Sequence, residues 1–121
     1  MCISAKHIVA NYFSKYNQDQ ISILDLSKNL YNVRKTLLKK GLQVDFDFKG
    51  TPSVYTWSND IYDRIWTHQS CRHLTISGDV ITVTQEGRSY FNKKHLDQKV
   101  NQDLSVKEKN AMEKALLKYA A

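Results

Sequence analysis

The chain has 121 residues, 41% of them hydrophobic and 25% charged, which is the size and composition of one globular domain and excludes a chain dominated by disorder. Eighteen lysines and arginines against twelve acids leave a formal charge of +6, the balance of a protein that meets phosphate or another polyanion, or simply of a soluble basic surface. Two cysteines are too few for the disulfide framework of a small secreted domain, and no run approaches the ~18 apolar residues of a membrane span, so the expectation is a reduced, cytoplasmic protein with no signal segment and no membrane contact.

Ile8, Val9, Tyr12, Phe13 and Tyr16 recur at helical spacing and predict a helix over residues 4–16. After a polar break at 17–20, Ile21, Ser22 and Ile23 fit a very short strand. Asp25 can cap a second helix, with Leu26, Leu30, Val33 and Leu37 as its buried stripe and Gly41 as its stop. From residue 43 the period becomes two. Val44, Phe46 and Phe48 alternate with Asp45, Asp47 and Lys49, and Gly50, Thr51, Pro52 and Ser53 offer turn chemistry before Val54, Tyr55 and Trp57, which reads as a β-hairpin. Helical spacing returns at Ile61, Ile65 and Trp66, with Asn59 or Asp60 as the cap. Leu74 and Ile76, the turn Ser77, Gly78 and Asp79, and then Val80, Ile81 and Val83 spell a second hairpin.

Thr84 can cap a helix running to about Leu96, in which Gly87 weakens the first turn by ~1 kcal/mol relative to alanine. A polar stretch, 97–103, precedes a last helix opened by Ser105 and Glu108 at capping-box spacing and striped by Ala111, Met112, Ala115, Leu116 and Tyr119. The chain thus divides into a basic core, 1–97, and a C-terminal amphipathic helix, 98–121, able to dock on that core or to pair with a second copy.

The fold class expected is α+β, with about five helices and two short β-hairpins. Two stretches, LLKKGLQV at 37–44 followed by KGTPSVYTW at 49–57, and VITVTQEGRSYF at 80–91, resemble the wing and closing phrases of winged-helix DNA-binding domains. The resemblance covers about half the chain. It departs from the family between Leu26 and Gly41, where two helices and a turn are usual and this chain has room for one continuous helix or two very short ones.

What the resemblance implies is double-stranded DNA as partner. The face of Lys28, Asn32, Arg34, Lys35 and Lys39 would enter or border the major groove, where arginine reads guanine and asparagine reads adenine, and Lys49 at the wing tip would reach a phosphate or the minor groove. Arg88, Lys93 and Lys94 would add sequence-independent phosphate contacts. The implied role is a small bacterial or phage transcriptional regulator acting by occupying a site, with a homodimer through 105–119 raising its effective affinity. Two other readings stay open: these cations form ordinary solvated faces, or the basic and aromatic surface serves a protein-interaction module, an inhibitor or adaptor, against an acidic protein.

His68, Cys71 and His73 are nitrogen and sulfur donors of the kind zinc accepts, but Cys2 and His7 complete the set only if the N-terminus folds over them, so the expectation is no metal and a buried Cys71 flanked by two surface histidines. Cys71 beside an imidazole is also a possible nucleophile. No other catalytic pattern accompanies it, and the reading is of a protein without cofactor or catalytic residues. Tyr55, Trp57, Tyr62 and Trp66 either stack bases or, as tyrosine and tryptophan at such periods usually do, cover a core.

Overall fold

The computed structural model describes residues 2–49 and 58–120. Helical spacing places Ile8, Val9, Tyr12 and Phe13 on one side of α1 (Ala5–Lys15), yet Ala10 and Asn11 are buried as well, so this helix is enclosed rather than amphipathic. It is packed by β1 (Ile3–Ser4), α3 (Asn59–Ser70), α5 (Lys93–Lys99) and α6 (Val106–Tyr119). The second helix, α2 (Ile23–Lys39), buries Leu26, Leu30, Val33 and Leu37 at four-three-four spacing, and α6 lies along it. Its cap is Ser22, whose Oγ accepts from the Asp25 amide at 3.0 Å, so the helix starts one turn earlier than a cap at Asp25 would allow.

The architecture is mixed α/β, with six helices and five strands in two small sheets among the described residues. β2 (Gln20–Ser22), β5 (Val80–Val83) and β4 (Leu74–Ser77) form an antiparallel sheet in the order β2-β5-β4, in which Ile81 lies opposite both Ile21 and Ile76. The expected hairpin at Gly78 is there, with the glycine at φ +62°. The hairpin expected over 43–57 is not what Val44 and Asp45 join. They form β3 (Val44–Asp45), paired in parallel with β1, and the rest of that expected turn and return strand, 50–57, lies outside the described residues.

The helix expected from 85 to about 96 is two helices, α4 (Gln85–Tyr90) and α5, because Phe91 turns inward and Asn92 accepts from the Lys94 amide as a fresh cap. Gly87 is not merely tolerated in α4. A Cβ there would lie 2.0 Å from the carbonyl oxygen of His73, so the close approach of helix and strand requires glycine.

The capping box of Ser105 and Glu108 opens α6, and Ala111, Met112, Ala115 and Leu116 are buried within this same chain, in one core with α1 and α2. Two polar links fasten the segment before α6 to α1. Asn11 and Asn101 exchange amide hydrogen bonds of 2.8 and 3.0 Å, and His7 bridges Ser4 to Asp103. The Ser4 amide donates to Nδ1 of His7, which leaves Nε2–H to donate to Asp103 at 2.8 Å. No helix among the described residues is long and apolar enough to cross a membrane.

Candidate nucleic-acid interface

Residues 28, 32, 35 and 39 are spaced four, three and four apart, so Lys28, Asn32, Lys35 and Lys39 share one face of α2, and that face is turned away from the core. α6 runs back along the helix and adds cations beside it. A shallow cleft of about 390 Å³ is lined by Asn32, Lys35, Lys39, Lys40, Lys118 and Tyr119. Lys40 also lines the neighbouring cleft of about 520 Å³ with Lys93, Lys107, Asn110, Glu113 and Lys114, while Lys35 and Lys39 border a third, of about 330 Å³, with Tyr31, Arg34 and Leu38. Shared lining residues make the three clefts one strip. Within it Lys35, Lys39, Lys40, Lys107, Lys114 and Lys118 have no acidic partner among the described residues.

The remaining candidates stand differently. Arg34 is a hundred degrees round the helix from Lys35. Its Nε donates to the Phe46 carbonyl at 2.7 Å and its guanidinium pairs with Asp47 at 3.1 Å, so its fork is engaged in holding the 46–47 segment. Lys49 is exposed and follows Phe48, whose ring meets Tyr31 edge-on at 5.7 Å, which keeps it near the strip, though it lines none of these three clefts. Arg88 is remote in role. It donates to the carbonyls of Tyr16 and Gln18 and pairs with Asp19 at 3.2 Å, closing the end of α1. Lys94 is exposed on α5, outside the clefts.

Lys93 joins the strip but is held. Its Nζ is 3.0 Å from Glu113, which also takes Lys15 at 2.7 Å. The hydrogen bond to Glu113 holds the Lys93 ammonium above its ordinary pKa. Burial alone would push the Glu113 carboxyl up, but its two lysine partners outweigh that and keep it below the usual carboxylate range.

Lys40 belongs with Lys35 and Lys39 to the outward, cationic face expected of α2, whereas Lys107, Lys114 and Lys118 were absent from the expectation. Lys107, Lys114 and Lys118 recur at seven and four along α6, a helical face legible in the sequence once the Ala111 and Leu116 stripe is seen to point inward. Apolar side chains sit among the cations: Leu24, Tyr31 and Leu38 are seven apart on α2, with Leu24 and Leu38 44% and 43% exposed, and Leu117 of α6 is 60% exposed.

The histidine and cysteine cluster is arranged opposite to expectation. Cys71 is exposed, at the end of α3, and His68 is buried with 2% of its surface accessible. Nδ1 of His68 lies 3.1 Å from Nδ1 of His73, whose ring stacks on Tyr90 at 4.1 Å, while Nε2 of His68 has no hydrogen-bond partner among the described residues. Two nitrogens at that separation would suit one metal ion, but the described residues hold no group of three His, Cys, Asp or Glu able to bind one. Nor does a hydrogen bond join the Cys71 thiol to either imidazole. Comparison with family models, with curated proteins and with solved structures returned no match.

Proposed function

We propose that this protein binds nucleic acid through the α2–α6 strip, and that it acts as a small cytoplasmic regulator by occupying double-stranded DNA. The observation that carries the reading is the continuity of the strip: six lysines without acidic partners border three clefts that share Lys35, Lys39 and Lys40. Lysine delivers point charge rather than a planar pair of donors, and the one arginine beside the strip is engaged, so the contacts are to phosphate.

A winged-helix architecture is the finer form of this reading. It is supported by the order α1, β2, α2, α3, β4, β5 and by β2 lying beside β5 in the sheet. In a helix-turn-helix the second helix of the pair enters the major groove, which here is α3. Its outward positions include Asp60 and Asp63, and the β4–β5 turn carries Asp79, all exposed and all repelled by phosphate. Charge therefore favours the α2–α6 side as the one that meets DNA. A homodimer would use Val106 and Leu117 of the 105–119 helix, which face outward, since the rest of its apolar stripe is already covered.

The second reading, a module that docks an acidic protein, is favoured by Leu24, Tyr31, Leu38 and Leu117 among the cations, because phosphate has no use for apolar contact. Fluorescence anisotropy of a labelled random duplex at several salt concentrations separates the two. DNA binding requires a log–log salt slope of about −0.9 per phosphate contact, reduced by roughly 1 to 2 in the Lys35→Ala/Lys39→Ala double variant. No binding at low salt would overturn the reading and leave the acidic protein.

A further inference from the structure

We propose that the cleft between α5, α6 and the end of α2 is a binding site for a chain of phosphates, with Glu113 as its resident competitor. The inference deepens the nucleic-acid reading, since a DNA backbone is one source of such a chain and a free polyphosphate is the other.

Lys40 at the end of α2, Lys93 at the start of α5, and Lys107 and Lys114 on one face of α6 converge on about 520 Å³. The cleft also presents Asn110, a neutral side chain with both donor and acceptor groups. Lys40, Lys107 and Lys114 have no acidic partner among the described residues. The fourth ammonium, Lys93, is drawn to Glu113 at 3.0 Å, and Glu113 is tied at 2.7 Å to Lys15 on α1. Two elements, α1 and α5, thus supply cations to one anion that belongs to the chain itself, and that anion stands at the wall of the cleft.

A phosphate group offers oxygen acceptors and negative charge of the kind that the Glu113 carboxylate offers Lys93. A phosphate chain entering the cleft meets three ammoniums that owe nothing to a carboxylate, and it competes with Glu113 for the fourth. Four lysines around one cleft suit a ligand with charge on every unit of its chain. An acidic peptide spreads its carboxylates on separate flexible stems and loses more side-chain freedom to deliver the same charge.

The test compares Glu113→Gln with Lys93→Gln in the full chain, using sodium tripolyphosphate by calorimetry, a random duplex by anisotropy and polyglutamate as the peptide control. The two substitutions break the same bridge, so a purely structural bridge predicts lower melting temperatures for both and binding that moves in one direction or not at all. That outcome overturns the proposal. Competition predicts opposite signs: Glu113→Gln tightens both phosphate probes roughly fivefold at low salt, the scale of one exposed ion pair, and Lys93→Gln weakens them by a similar factor.

Lys107→Ala and Lys114→Ala, which break no ion pair, weaken both probes without a loss of melting temperature. Tripolyphosphate bound in this pattern with no duplex binding keeps the cleft and removes the nucleic-acid reading. Duplex binding with the two Gln variants moving together keeps that reading and removes the cleft. Binding of neither phosphate probe removes both, and polyglutamate bound as tightly as tripolyphosphate overturns the phosphate assignment.

Discussion

His68 closes the inner face of α3, its ring 5.0 Å from that of Phe91 and 5.5 Å from that of Tyr90. Burial first, then the charge of Arg64 and the nearness of His73, lower its pKa from 6.5 to about 4. The unfolded chain takes up this proton near 6.5 and the folded chain only near 4, so neutral His68 contributes its full stability above pH 6.5 and loses it as the pH falls toward 4. The complete loss is worth roughly 3 kcal/mol, about 2.5 of it by pH 4.5.

His73, lowered by burial as well, gives way in the same direction, with Glu86 partly offsetting the effect. Asp97, Asp103 and Glu113 are held below their ordinary values of 3.8, 3.8 and 4.5, so their contribution is present above those values and disappears only in stronger acid. The window from pH 6.5 to 4.5 therefore belongs to His68 and His73. Urea unfolding followed by tryptophan fluorescence from about pH 7 to 4.5 measures it, and His68→Phe, which keeps a ring and removes the proton site, should flatten most of the decline. A wild-type stability that stays level across that window, or a His68→Phe variant that declines as steeply, would refute the reasoning.

Two further outcomes follow from contacts already described. Gly87→Ala drives a methyl group into the His73 carbonyl at 2.0 Å, and a melting curve should show a loss of more than about 3 kcal/mol or no cooperative transition. Arg88→Ala frees the carbonyls of Tyr16 and Gln18 and should lower the melting temperature by an amount equivalent to about 1–2 kcal/mol, while leaving the salt slope of any DNA binding unchanged. A shallower slope for that variant would place Arg88 on the ligand.

Elements whose signals are local were legible in the sequence. Ser105 with Glu108, Gly78 between β-branched runs, and the Leu26 to Leu37 stripe each carry their own start, stop or period, and the structure keeps them. The parallel pairing of Ile3 and Ser4 with Val44 and Asp45 joins segments forty residues apart, and no neighbour in sequence announces it. The burial of His68 was legible and overlooked, for 61, 65 and 68 continue one helical stripe from Ile61 and Ile65, and the histidine takes the place of an apolar residue.

The strip was half legible. Lys28, Asn32, Lys35 and Lys39 follow helical spacing, whereas whether Arg34 or Arg88 points at solvent or at a carbonyl depends on chain segments that arrive from elsewhere.

The enclosure of α1 sets an order of events as the chain is made. Three of its covering partners, α3, α5 and α6, leave the ribosome after it, and Asn11 waits ninety residues for Asn101. At ~5–20 residues per second that gap is on the order of 5–20 s, during which the cover that α6 gives α1 is missing. α1 is thus sealed only once α6 is made, and a nascent chain stalled before α6 would offer chaperones an apolar helix that the finished protein covers.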